Sequence, residues 1–254
     1  AGGGSRSPLT GTICSNVIQP EDGSNISEIF STMLYVGDNT VERDILNGLN
    51  LAGKGGLVWI KNRSVGYDHT LVDTVRGAGL MLASQSTNGQ SSQPETVRTF
   101  GSEGFNIGNQ VYVNNDTSNI VSWSFCKAPK FFDIQTYVGD GVAGRTVSHD
   151  LTSEPGMIIC KSTSNDEQWC VYHKSLGATD VLVLNENAEA SSDNRFWNDT
   201  EPTTTEFTVG SVTATNGSNI EFVAYLFADQ PGLIKCGSYT GTGSNQTIDC
   251  GFKP

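Results

Sequence analysis

Positive charge is scarce in this sequence. Lys and Arg total 15 against 27 Asp and Glu, a formal net charge of −12. Nucleic acid and anionic lipid both need a basic face on their partner, so neither is expected to bind, and no membrane insertion is expected. Long apolar runs are missing too: none approaches the roughly 18–20 residues of a membrane-spanning helix. There are only three histidines, and no His-Glu-x-x-His, Gly-x-Ser-x-Gly or Cys-x-x-Cys occurs. The spacings that place metal ligands or an activated nucleophile on one element are therefore lacking, and no metal, cofactor or catalytic residue is expected. Helical spacing of apolar residues is nowhere sustained, and Asp73–Gly77 supports one turn at most. The opening Ala1-Gly2-Gly3-Gly4-Ser5-Arg6 has neither an apolar stretch nor an initiator Met. A processed, trimmed or partial chain is expected on that ground.

What is present reads as β-structure. Glycine is abundant, at 29 residues, alongside many Ser, Thr and Asn. These bound short β-prone runs such as Leu57-Val58-Trp59-Ile60, Thr70-Leu71-Val72, Val181-Leu182-Val183-Leu184 and Phe222–Phe227. Hydrophobic residues make up 36% of the chain, lean but enough for a core if alternate strand positions face water.

The organisation is set by a repeat. Tyr35-Val36-Gly37-Asp38 returns 102 residues later as Tyr137-Val138-Gly139-Asp140, and a weaker Tyr239-Thr240-Gly241-Thr242 follows after another 102. Arg43 and Arg145 keep that offset, as do Phe105 and Phe207, while Lys61 and Lys161 are 100 apart. The sequence predicts an entry segment or linker over 1–30, one β-sandwich over 31–131, a second over 132–235, and over 236–254 the start of a third copy, incomplete or acting as a strand-donating tail.

Four groups of residues invite a functional reading. Cys160 and Cys170 are symmetric about Asn165, and Cys236 and Cys250 about Gly243. In a hairpin such pairs come within disulfide range, so cross-strand staples are set against the plainer reading of buried thiols. Asp38-Asn39 and Asp140-Gly141 fill equivalent turns, and the third copy has Thr242 in place of the acid, which favours turn chemistry over calcium. Asp68, Asp73, Asp166 and Glu167 are acids without the paired, aromatic-flanked setting of a glycosidase. Of Trp59, Trp123, Trp169 and Trp197, three lie in strand patterns and read as core. Trp197, in the polar run Phe196-Trp197-Asn198, is the candidate for stacking on a surface glycan.

Two longer stretches carry a resemblance. One is Leu57–Ser64 followed by Val72–Ala78; the other is Trp169–Gly177 followed by Phe196–Thr203. With the strands Ile120-Val121-Ser122-Trp123 and Phe222-Val223-Ala224-Tyr225, they resemble a repeated β domain of tailed-phage virion proteins, common in marine and cyanobacterial phages. The likeness covers about 31–254. It departs from the pattern at Ala52–Gly56, where a Pro-containing turn like Glu154-Pro155 is usual, and in its six cysteines.

The resemblance implies an all-β fold of tandem β-sandwich repeats, jelly-roll or concanavalin-like. It implies a structural, non-enzymatic role at the surface of a virion or otherwise outside the cell. The leading expectation is a tail-fibre or other particle-surface module with an adhesive role. It would self-associate, as a homotrimer in the manner of phage fibres, and contact other virion proteins and a host surface glycan or protein. A capsid decoration or head appendage protein, and a lectin-like extracellular binding or filament module, are the rival readings.

Overall fold

The computed structural model describes residues 25–252. The first half carries nine strands: β1 (Phe30–Val36), β2 (Arg43–Leu46), β3 (Gly56–Asn62), β4 (Thr70–Asp73), β5 (Leu80–Met81), β6 (Ser91–Ser92), β7 (Val97–Phe100), β8 (Gly104–Ile107) and β9 (Asn119–Cys126). The second half carries eight: β10 (Phe132–Val138), β11 (Arg145–Ser148), β12 (Pro155–Ser162), β13 (Cys170–His173), β14 (Asp180–Val183), β15 (Ser191–Ser192), β16 (Glu206–Val209) and β17 (Glu221–Ala228). The α-helices among the described residues are single four-residue turns, so the fold is all-β. No helix among these residues is long and apolar enough to cross a membrane.

All pairings are antiparallel, and their pattern recurs. In the first half the sheet order is β1-β9-β3-β4; in the second, β10-β17-β12-β13 is extended by β14 and β15. Tyr35 pairs with Ile120 on β9, and Tyr137 with Phe222 on β17, each partner again 102 positions on. Smaller sheets, β2-β8-β7 and β11-β16, cover one face of each large sheet. Ile45, Phe105 and Ile107 join Val58, Ile60 and Ile120 in the first core, and Val147, Phe207 and Val209 join Ile158, Phe222 and Leu226 in the second. This is sheet-on-sheet packing, each strand turning alternate residues inward.

The recurring Tyr-Val-Gly-Asp has a physical reason. Tyr35 donates its hydroxyl to Val113 O at 2.8 Å, and Tyr137 to Thr215 O at 2.6 Å. Arg43 and Arg145 lie over those rings, 5.2 and 5.5 Å from the centroids, and each donates to the carbonyl of the Val after its Tyr. Buried Asn114 accepts from Asp38 N and donates to Asp38 Oδ1 and Thr40 O; Asn216 does the same for Asp140 and Val142. The glycines are needed for close approach: a Cβ on Gly37 would stand 2.0 Å from Asn115 O, and one on Gly139 would stand 2.2 Å from Gly217 O. Asp38 and Asp140 thus serve turn closure, accepting from the backbone two residues on.

The halves share buried surface. Along β17, Phe222, Ala224, Leu226 and Ala228 face the second core, while Val223, Tyr225 and Phe227 face the first. Burial on both faces explains why Phe222–Ala228 is nearly unbroken in apolar residues. Phe125 of β9 meets Phe227, its counterpart 102 residues on, at 5.5 Å edge to face, and Phe132 at 5.4 Å. The loop after β5 lies on the second sheet: Trp169 Nε1 donates to Ala83 O and Ser86 O, and Lys161 Nζ donates to Thr87 O at 2.9 Å.

The two ends of the chain are described only in part. Residues 236–252 form no strand, and Tyr239, read as the opening of a third copy, is 69% exposed. Among the described residues no strand pairs with this stretch, as holds both for an incomplete third copy and for a strand-donating tail. The entry segment falls mostly outside the described residues, whose first element is a short turn over Ile26–Glu28.

Candidate functional site

An open cleft of about 710 Å³ lies where the two halves meet. Its lining comes from four segments: Trp59 of β3, His69 just before β4, Ser84 and Gln85 after β5, and Leu184–Asn187 after β14. Trp59 sits directly opposite Trp123 in the β3–β9 register, their rings 6.4 Å apart and edge to face. Both indoles are half-buried, because this end of the sheet face is only partly covered by the second half.

Hydrogen bonds hold the polar lining in place. Trp59 Nε1 donates to His69 Nδ1 at 2.9 Å, which puts the neutral imidazole's proton on Nε2, facing outward as a donor. Burial, and then the charge of Lys61, keeps His69 below the usual histidine range, favouring that neutral form. Gln85 Oε1 accepts from His69 N at 3.1 Å, and 100 residues on Asn185 Oδ1 accepts from Trp169 N at 2.9 Å. Neither carboxamide's NH2 has a partner among the described residues. Glu186 Oε1 accepts from Gln168 Nε2 at 2.6 Å, leaving its second oxygen open. The lining therefore offers one aromatic face and several donors and acceptors whose orientation is already set.

A buried ionic lock joins the two halves. Asp73 and Arg76 pair at 2.6 Å with side chains almost wholly enclosed, and Tyr225 donates to Asp73 Oδ2 at 2.8 Å. Arg76 spends its remaining donors on Leu71 O, Leu80 O, Gln90 and Tyr225 Oη. Asp73 Oδ1 accepts from the N–H groups of Val75 and Arg76. Such a pair tolerates burial because its hydrogen-bonding capacity is filled. Burial, with the charge of Asp73 adding to it, pushes Tyr225 well above the usual phenol range, so it remains a donor.

The residues chosen from sequence fall elsewhere. Trp197 is only 2% exposed, at the end of a four-residue helical turn, and packs edge to face on Tyr172. It cannot stack on a surface glycan; the polar neighbours that marked it as exposed face outward while the indole turns in. Conversely Trp59 and Trp123, read as core, present part of their rings to solvent, and of the three tryptophans read as core Trp169 alone is fully enclosed. Cys160 and Cys170 stand directly opposite each other on β12 and β13, as the symmetry about Asn165 implied. Both are free thiols, with Tyr137 Oη 3.0 Å from Cys160 Sγ. Burial pushes Cys160 up to about 12 and Cys170 well above the usual thiol range. Cys236 and Cys250 are likewise unjoined, Cys236 packed on Ala228 O and Cys250 partly exposed, because the hairpin that would align them does not form. Cys14 lies outside the described residues. Sequence reasoning passed over Gln85, Asn185, Glu186 and Asn187. The one available signal was the 100-residue spacing of two amide side chains, Gln85 and Asn185.

No curated protein and no solved structure matches this chain. The model of a family described as a domain of unknown function, DUF7483, matches residues 25–254, which takes in both halves and their shared core. The chain belongs to the DUF7483 family.

Proposed function

We propose that this chain is a structural, non-enzymatic module on the surface of a tailed-phage particle, in a tail fibre or similar appendage, where it serves as a rigid spacer with an adhesive face. The observation that carries the reading is the buried lock between halves: Asp73, Arg76 and Tyr225, next to the Phe125–Phe227 contact, tie two sheets into one block. A spacer under mechanical load needs such a seam, and the loops on either side remain available for recognition. The phage setting rests on the Leu57–Ala78 and Trp169–Thr203 motifs. Self-association as a homotrimer belongs to the same proposal. Leu34, 60% exposed on edge strand β1, and Leu46, 62% exposed on β2, supply apolar surface for it.

Immunogold labelling of intact particles with an antibody to this chain tests the proposal. Label along the tail or its appendages is the expected result. Label on heads would support a capsid decoration role instead. Label on cell envelopes or filaments, with none on particles, would replace the phage reading with a lectin-like extracellular module. The non-enzymatic claim is tested by incubation with host polysaccharide and a reducing-end assay. Sustained turnover, abolished by one carboxylate substitution, would overturn it.

A further inference from the structure

We infer that the cleft between Trp59 and the Leu184–Asn187 loop is a binding site for a neutral saccharide, a hexose or N-acetylhexosamine unit of a surface glycan. The inference deepens the adhesive reading above and places the recognition site at Trp59 rather than Trp197.

A pyranose ring has an apolar face of C–H groups and a rim of hydroxyls that both donate and accept. A site for it needs an aromatic face fixed in place, with planar polar groups at its edge. Trp59 is fixed three ways: by its donation to His69 Nδ1, by the edge-to-face contact with Trp123, and by its strand register. At the rim, the NH2 groups of Gln85 and Asn185 and the Nε2–H of His69 are donors, and the second oxygen of Glu186 is an acceptor. Gln85, Asn185 and Glu186 each already use one oxygen to accept a bond within the protein. They therefore lose little rotamer freedom on binding.

Charge narrows the class. The lining holds one carboxylate, Glu186, and no Lys or Arg, in a chain of net charge −12. Sialylated, uronic or sulfated sugars would meet repulsion there, so the ligand is neutral. A single carboxylate also suits holding a hydroxyl rather than the paired acid and base of glycoside hydrolysis.

The equivalent place in the second half shows what an occupied face looks like. There Trp169, counterpart of His69, is enclosed and donates to Ala83 O and Ser86 O of the first half. The Leu184–Asn187 loop makes no such closure over Trp59, and the space between them is the cleft.

The test is a glycan array with the full 254-residue chain, followed by calorimetric titration with the neutral oligosaccharides it retains. Sialylated and sulfated glycans serve as charged comparisons. Gln85, Glu186 and Asn187 are exposed, so Gln85→Ala, Glu186→Ala and Asn187→Ala should fold normally. Each is expected to weaken neutral-glycan binding about tenfold, the loss of one good hydrogen bond. Trp59→Phe, which keeps a ring in the sheet, is expected to weaken it similarly, while Trp197→Phe leaves it unchanged. The inference is overturned if no neutral glycan binds, if only charged glycans bind, or if the four cleft variants bind as the parent does. Particle labelling is independent of this outcome: label on tails with no glycan bound would remove the saccharide site and leave the structural role standing.

Discussion

The hydroxyl of Tyr225 donates to the carboxylate of Asp73 at 2.8 Å across 152 positions of sequence. Arg76 binds both, through Nε to Asp73 at 2.6 Å and Nη2 to Tyr225 at 3.2 Å. The second half places His173 and Leu176 where the first has Asp73 and Arg76, so the lock is made once. Tyr225→Phe removes a hydrogen bond to a charged group and should cost about 1.5–3 kcal/mol. Asp73→Asn leaves Arg76 buried without its counter-charge and should cost about 3–5 kcal/mol. Urea denaturation of each variant measures both, and a change under half a kcal/mol at either would remove the lock from the account.

The Tyr-Val-Gly-Asp corners make a paired expectation. Gly37→Ala and Gly139→Ala each drive a methyl into a backbone carbonyl, so both should destabilise by about 1–3 kcal/mol or more. Asn114→Ala and Asn216→Ala each remove a buried carboxamide that ties the corner together, and should cost about 1 kcal/mol or more apiece. The check is that the two members of each pair lose stability to a similar extent. A large loss at one corner and none at the other would mean the recurring motif does different work in the two halves.

Much of this architecture was legible in the sequence, for reasons now visible. Tyr35 and Tyr137 recur because both anchor the same corner, and Cys160 and Cys170 are opposed because the chain turns between them. Information that depended on the docking of the halves was not legible. Asp73 was recognised as an acid but not as the partner of Tyr225. Trp59 and Trp197 exchanged places between core and surface because strand pattern reports that a face is buried, not how far a distant loop covers it. The third Tyr-x-Gly stretch has the right residues and no partner strand among the described residues.

Acid should weaken the fold in two stages. Burial, the largest cause at each, holds His69, His149 and His173 below the usual histidine range. The unfolded chain therefore takes up protons first as pH falls past about 6.5, and stability declines from there downward. Asp133 acts in the same direction at lower pH. Burial raises it, but hydrogen bonds from Gln135 and Asp150 N and the charge of Lys127 more than offset this and leave it lowered. Its contribution is present above the usual carboxylate range and is lost as pH falls through the lowered value, below about 4. Melting temperatures at pH 8, 6, 5 and 3.5 read both stages; a flat profile between 7 and 5 would contradict the first.

Thiol reactivity should sort by burial. Cys250 is partly exposed, whereas Cys126, Cys160 and Cys170 are enclosed and their thiols held above the usual range, Cys126 at about 11 and Cys160 at about 12. Under native, reducing-agent-free conditions iodoacetamide should modify Cys250 readily and leave these three unmodified until denaturant is added. Peptide mass spectrometry locates the adducts. A mass deficit of two hydrogens on the Cys160–Cys170 peptides would show the staple formed after all.

Everything proposed for this chain depends on its halves moving as one body. Scanning calorimetry tests this most directly: a single transition with equal calorimetric and van't Hoff enthalpies is expected, shifted as a whole by Tyr225→Phe. Two separable transitions, with only one of them moved by that substitution, would contradict it.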